Sequence, residues 1–158
     1  MKKRFVCLVL ALLLAALPAC ALGGTSVTVW RAVSPYYLED GAAVESEVIS
    51  VDSSLSVIDA SVAAFNSDAE GVELLRAMPQ GIDILGWEIS DGVLDLEISP
   101  EYASLTGYWR TVADCCVALT FCAIDGVESV SLYSQGTALS LYMTPGEFLL
   151  EDATGTEE

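Results

Sequence analysis

Ile84–Ser99 reads ILGWEISDGVLDLEIS, with eight apolar residues arranged around an Asp91-Gly92 pair and acidic residues spaced among them. Asp-Gly between two alternating runs is the signature of a two-residue type I′ turn, in which both central residues need φ > 0. Such a turn sets Ser90 against Val93 and so determines the register. Ile89 then faces Leu94, Trp87 faces Leu96, and Leu85 faces Ile98, all on one side. Glu88 falls opposite Asp95, and Gly86 opposite Glu97, on the other. All three large apolar pairs land together, which predicts a hairpin with one buried and one solvated face, Trp87 being buried with Leu96.

Downstream, Ser99-Pro100-Glu101 supplies an N-cap residue, a proline suited to the first helical position and an acid for the first turn, so a helix is expected to start there. Thr106-Gly107 breaks it before a longer helix over Tyr108–Ile124. There Trp109, Val112, Cys116, Leu119 and Ala123 share one face, with Cys115 and Cys122 at its flank. Asp125-Gly126 turns the chain into VESVSLY, the last strand, with Val130 and Leu132 pointing inward. SQG forms another turn, and the acidic tail from Glu147 is expected to be loose.

Upstream, Val27–Val33 (VTVWRAV) alternates and is rich in β-branched and aromatic residues, so it reads as a strand. SPYYLEDGAA is a loop, and Val44–Val51 is a second strand. From Ser54 the period changes: Leu55, Ile58, Val62 and Phe65 fall on one helical face, with Ser53 or Ser54 as N-cap. NSDAEG ends that helix, and VELLRA adds one helical turn before Pro79-Gln80-Gly81.

The first 20 residues, MKKRFVCLVLALLLAALPAC, carry three positive charges, an apolar run and a small-residue exit. That is the architecture of an export signal, and the run is too short to span a bilayer comfortably. Leu17-Pro18-Ala19-Cys20 resembles the lipobox of bacterial lipoproteins, which implies that Cys20 is lipidated, palmitate being an expected acyl chain, and becomes the first mature residue. Ala19-Cys20-Ala21 also fits the cut of an ordinary secreted protein, so both readings stand. The expected division is a signal peptide over 1–19, a tether over 20–26, a domain over 27–145 and an acidic tail over 146–158. The six residues between Cys20 and Val27 reach about 20–25 Å when extended, which holds the domain near the membrane face.

Charge narrows the choice of partners. The 158 residues include 23 Asp and Glu, 6 Lys and Arg, and no His. A chain beginning at Cys20 keeps only Arg31, Arg76 and Arg110, giving 3 − 23 = −20. Phosphate backbones are bound by cations that displace counterions, so nucleic acid is a poor partner. The 53% hydrophobic content argues for a packed core rather than an acidic disordered chain.

The stretch AMPQGIDILGWEISDGVLDLEISPEYASLTG, followed by VALTFCAIDGVESVSLYSQG, resembles the GerM-type sporulation and spore-germination domain (the GerMN family) of bacterial envelope proteins. The likeness lies in Pro79-x-Gly81-x-x-Ile84, the Asp91-Gly92 hairpin ending in Ser99, Tyr102-x-x-Leu105-x-Gly107, Thr120-Phe121, and Ile124-x-Gly126-Val127-x-x-Val130. It covers Pro79–Gly136 well and departs at residues 65–70, where FNSDAE replaces the family's usual L-x-G-P helix end. The resemblance implies an α+β fold: a small mixed or antiparallel sheet of four to five strands with two helices on one face, like the ring-building modules of envelope machines. It carries over no catalytic residue, metal or cofactor.

Three candidate chemistries remain. Cys115 and Cys122 stand about 10 Å apart on one helix at about 1.5 Å per residue, beyond the roughly 7 Å limit for a disulfide. With no His, a Cys-His nucleophile and a Cys-His metal site are excluded, and the thiols read as small buried hydrophobes. The Glu88–Asp95 pair has the residue types of a glycosidase, yet opposed carboxylates on a strand imply no cleft; a solvated face explains them with Glu97, and the three also form a candidate binding surface where a cation or a partner could be recruited. Arg31, Tyr36 and Tyr37, in or beside the longest early loop, are the residue types that binding surfaces use. The expected function is a non-enzymatic, lipid-anchored extracytoplasmic module that binds an envelope protein or its own copies, in sporulation or germination if the resemblance extends so far. A small-ligand or wall-glycan module is the alternative, and an acidic-residue hydrolase the third reading. An accessible sheet edge favours the first, an aromatic-lined concave pocket the second, and carboxylates converging in a cleft the third.

Overall fold

The computed structural model describes residues 25–37 and 42–148. The leader, Cys20, most of the expected tether and the tail from residue 149 lie outside the described residues. Seven strands and two helices follow in chain order: β1 (Thr25–Val33), β2 (Val44–Val51), α1 (Val57–Asn66), β3 (Leu74–Leu75), β4 (Ile84–Ser90), β5 (Val93–Ile98), α2 (Gly107–Phe121), β6 (Ser129–Ser134) and β7 (Thr137–Met143). They form two sheets, ordered β2-β1-β3 and β4-β5-β6-β7. The fold is α+β, as expected. The four-stranded sheet is mixed, because β5 and β6 run parallel while its other pairs are antiparallel.

The hairpin of β4 and β5 has the predicted register from its turn outward. Asp91 and Gly92 both have positive φ, and Ser90–Val93, Ile89–Leu94, Glu88–Asp95, Trp87–Leu96 and Gly86–Glu97 are paired. One expected pair is corrected. A bulge lies between Ile84 and Gly86, so Ile98 pairs with Ile84 rather than Leu85. One extra residue reverses the inward-outward alternation. Ile84 is therefore buried, and Leu85 is 63% exposed. A second correction concerns Trp87. Leu94, Leu96 and Ile98 are fully buried, but Trp87 and Ile89 remain 37% and 40% exposed. They face the core side from an edge strand, at the rim of the helical layer, where the Trp87 indole donates to Asp59 of α1 at 2.8 Å.

Within VELLRA, expected to form one helical turn, Leu74–Leu75 instead form β3, which pairs with Ala32 and Val33 of β1. Beyond β3, that edge of β1 is met by α2, where the Trp30 amide donates to Thr120 Oγ1 at 2.9 Å. The helix α1 is capped by Ser56, not Ser53 or Ser54; its hydroxyl accepts from the Asp59 amide and donates to the Asp59 carboxylate. Leu55 thus precedes the helix and is exposed, while Ile58, Ser61, Ala64 and Phe65 face inward. In α2 the buried stripe is Val112, Ala113, Cys116, Val117, Ala118, Thr120 and Phe121. Of the five residues expected to share the buried face, only Val112 and Cys116 are fully buried; Trp109 and Ala123 are exposed and Leu119 is half-buried. The helix touches β1 and β2 of one sheet and β6 and β7 of the other, which turns a broader face inward than a single sheet requires. The rings of Phe65 and Phe121, 5.6 Å apart, join the two helices.

The chain does not end its sheet at β6. Gln135 and Gly136 have positive φ, and the chain turns back as β7. Strand β1 begins at Thr25 rather than Val27, and Phe148, assigned to the tail, packs against the core. No helix among the described residues is long and apolar enough to cross a membrane.

Candidate functional site

Each strand of the hairpin places alternate residues on opposite faces. The inner face of β5 is Leu94, Leu96 and Ile98; its outer face is Val93, Asp95 and Glu97. Parallel pairing with β6 sets Asp95 beside Ser131 and Glu97 beside Tyr133. Antiparallel pairing with β4 sets Glu88 beside Asp95. The structure therefore gathers Glu88, Asp95 and Glu97 on one open surface, around a shallow cleft of about 380 Å³ that Gly86, Tyr133 and Gly136 also line. Tyr133 is an addition that the sequence reading lacked; partial burial, then the nearby Asp95 carboxylate and Tyr142, raise the pKa of its hydroxyl. One Glu97 oxygen accepts from the Gln135 amide at 2.7 Å, tying that carboxylate to the β6–β7 turn.

Arg31 is no part of any surface. Its side chain is fully buried, and all five guanidinium hydrogens are used. Nε donates to Glu47 at 3.0 Å, Nη1 to the carbonyls of Phe65 and Ser67, and Nη2 to the Ala64 carbonyl and Ser67 Oγ. The last carbonyls of α1 have no intrahelical donors, and a cation there also opposes the negative end of the helix dipole. Burial works against the Glu47 carboxylate, but the Glu70 amide, Arg31 and the Gly71 amide outweigh it and hold its pKa below the ordinary range. Tyr36 and Tyr37 sit on a 3₁₀ turn after β1, with Tyr36 90% exposed. Neither lines the acidic cleft.

The other two arginines among the described residues are engaged as well. Arg76 pairs with Asp83. Arg110 donates to both Asp114 oxygens, to the Leu139 carbonyl and to Ser140 Oγ, and lies over the Tyr102 ring at 4.4 Å. Tyr102 donates its hydroxyl to Asp114, and burial followed by that carboxylate drives its pKa well up. This closed network holds β7 and the 3₁₀ turn Pro100–Ser104 against α2. A separate groove of about 500 Å³, lined by Leu74, Leu75, Arg76, Pro79, Leu105 and Trp109, also went unseen in the sequence. Its parts come from segments far apart in the chain, so no local pattern announces it.

Cys115, Cys116 and Cys122 are unpaired. Burial raises the pKa of all three thiols, most strongly for Cys116, which keeps them protonated and weakly nucleophilic. Among the described residues, no three Cys, Asp or Glu side chains gather as a metal site.

The most accessible feature beside the acidic surface is β4 itself, the outermost strand of its sheet. It exposes Leu85, Trp87 and Ile89 on a backbone edge with no neighbouring strand. Chemically, such an edge can pair main chain with main chain, while the carboxylates beside it attract cations.

No family model and no curated protein sequence matches the chain. Solved structures do. The first GerMN domain of the sporulation protein GerM from Bacillus subtilis superposes with a TM-score of 0.57 at 10% identity, over 73% of this chain and 86% of that one. The tandem GerMN domains of the same protein give 0.54 at 18% identity, over 72% of this chain. This chain spans only 40% of that tandem structure. With its mixed hairpin-containing sheet and two helices, the described domain has the GerMN fold.

Proposed function

We propose that this protein is a non-enzymatic module of the cell envelope, lipid-anchored at Cys20 on the extracytoplasmic face, that works by binding another envelope protein or copies of itself. A setting in sporulation or germination belongs to the proposal, since the solved neighbours come from a sporulation protein. The observation that carries the reading is the exposed edge of β4, with Leu85, Trp87 and Ile89 uncovered beside it. The carboxylates Glu88, Asp95 and Glu97 lie in a shallow, open cleft, and no arginine stands among the residues lining it to hold a substrate. That arrangement favours recognition over turnover.

A photo-crosslinking residue placed at Leu85 in intact cells should capture a discrete protein adduct, and one placed at Val72, exposed elsewhere on the domain, should not. Turnover of a peptidoglycan fragment by purified protein, abolished by Glu88→Gln or Asp95→Asn, would overturn the reading and establish a hydrolase. A ligand-binding module is the second reading. The groove at Trp109 favours it over the Tyr36-Tyr37 turn, because that groove is concave and apolar with one aromatic wall.

A further inference from the structure

The hydrogen-bond parity of the hairpin determines which backbone groups of β4 are free. Residues flanking a two-residue turn exchange bonds with each other, and the pattern then alternates along an antiparallel ladder. Ser90 with Val93, Glu88 with Asp95 and Gly86 with Glu97 are therefore the bonded pairs. Trp87 and Ile89 turn their N–H and C=O groups away from β5, toward the open edge.

The same edge is already satisfied at one end by a side chain. The Asn66 amide donates to the Ile84 carbonyl at 2.8 Å and accepts from the Ile84 amide at 2.9 Å, reproducing the two bonds of a neighbouring strand. Among the described residues no side chain or loop does this for Trp87 or Ile89. Natural edges are commonly blocked by lysine, proline or a covering loop. Here the exposed stretch Trp87–Ser90 has none of these, and its bulge lies before it.

The chemistry on the two sides of this edge specifies the occupant. Toward the core side, Trp87 and Ile89 leave uncovered apolar surface. On the outer side stand Glu88, with Asp95 and Glu97 behind it. A strand laid along β4 must thus show apolar residues on one face and cations on the other. Among the described residues, a second copy of this chain offers no free cation. Arg31, Arg76 and Arg110 each pair with a carboxylate of their own chain. The two-fold register that joins Trp87 to Ile89 would also set Glu88 against Glu88, and like charges directly opposed are destabilising.

We propose that the Trp87–Ser90 edge accepts an extended segment of a different protein, in which apolar and basic residues alternate, as a fifth strand of the mixed sheet. The proposal rests on the protein-binding reading above and names the surface and the chemistry of the partner.

The test uses the purified mature chain and fluorescently labelled synthetic peptides. An alternating Val-Lys heptapeptide should bind about tenfold or more tightly than a peptide of the same composition with its valines and lysines in separate blocks. Backbone N-methylation of alternate residues should abolish that advantage. Ile89→Pro should remove it too, since proline deletes the outward N–H and is tolerated on edge strands. If circular dichroism shows that Ile89→Pro is misfolded, Ile89→Lys, which places a cation on the edge, serves as the second variant with the same expected loss. Equal binding of alternating and blocked peptides would reduce the effect to bulk charge attraction and overturn the proposal. A concentration-dependent dimer abolished by Ile89→Lys would overturn it in favour of a second copy. If peptide discrimination fails while cross-links from Leu85 persist, the strand-addition proposal falls and the protein-binding reading survives.

Discussion

Arg31 and Glu47 show how far a residue type can be from its usual role. Arginine on an early strand beside two tyrosines suggests a recognition surface, yet this guanidinium closes the end of α1 from inside the core. Its helical partners lie 33 to 36 positions away, and no short-range pattern reports them. Removing one member of a buried pair strands the other, so Arg31→Ala should cost about 3–5 kcal/mol in urea unfolding. Arg31→Lys should not restore the loss, because an ammonium cannot span the same five bonds. The pH dependence follows from Glu47, whose folded pKa lies below its ordinary 4.5. Its contribution to stability is complete above about pH 4.5 and is lost as pH falls through the folded value. Stability measured downward from neutral should hold until about that pH and then drop, and the drop should shrink in Glu47→Gln. The thiols offer a further check at this scale. Alkylation of native protein should be slowest at Cys116, the fully buried one, and denatured, unreduced protein should react at all three domain cysteines.

The hairpin is where the sequence was most informative among the elements. Its turn, register and charged outer face all follow from contacts between near neighbours, so Asp91-Gly92 and the alternation sufficed. Gly92 has a second duty: its carbonyl accepts from Glu128 at 2.7 Å, and a Cβ there would lie 3.0 Å from the Glu128 side chain. Burial within the hairpin was less legible, because it depends on where the helices stop. Leu96→Ala should therefore cost about 2–5 kcal/mol. Trp87→Ala should cost about 2–3 kcal/mol, short of the roughly 3–5 of an enclosed tryptophan. Glu88→Gln should change stability little. Thermal or urea unfolding of the three variants tests the order, and a Trp87→Ala loss exceeding that of Leu96→Ala would contradict the placement of β4 at the rim. The rotation of α2 away from its expected face has the same origin as the rim: a helix touching two sheets buries a wider stripe than one periodicity can mark.

For the whole molecule, the proposed anchor predicts that Cys20→Ala moves the protein from the membrane fraction to the medium or leaves uncleaved precursor. Labelled palmitate that never attaches to wild type, together with a mature N-terminus at Leu22, would make the protein a secreted one. What the sequence determined by itself was local: the type I′ hairpin, the existence of both long helices, the strands β1, β2 and β6, and the acidic outer face. Each rests on contacts within a few positions or on composition, where turn chemistry and periodicity act directly. Only the tertiary structure decided that Leu74–Leu75 of VELLRA pair as β3, that β7 follows the Gln135-Gly136 turn, that Leu85 bulges outward, and that Arg31 is interior while Trp87 stands at an open edge. Those outcomes depend on which distant backbone or carbonyl is within reach. That is settled when the two sheets close around the helices, and not by any residue's own preference.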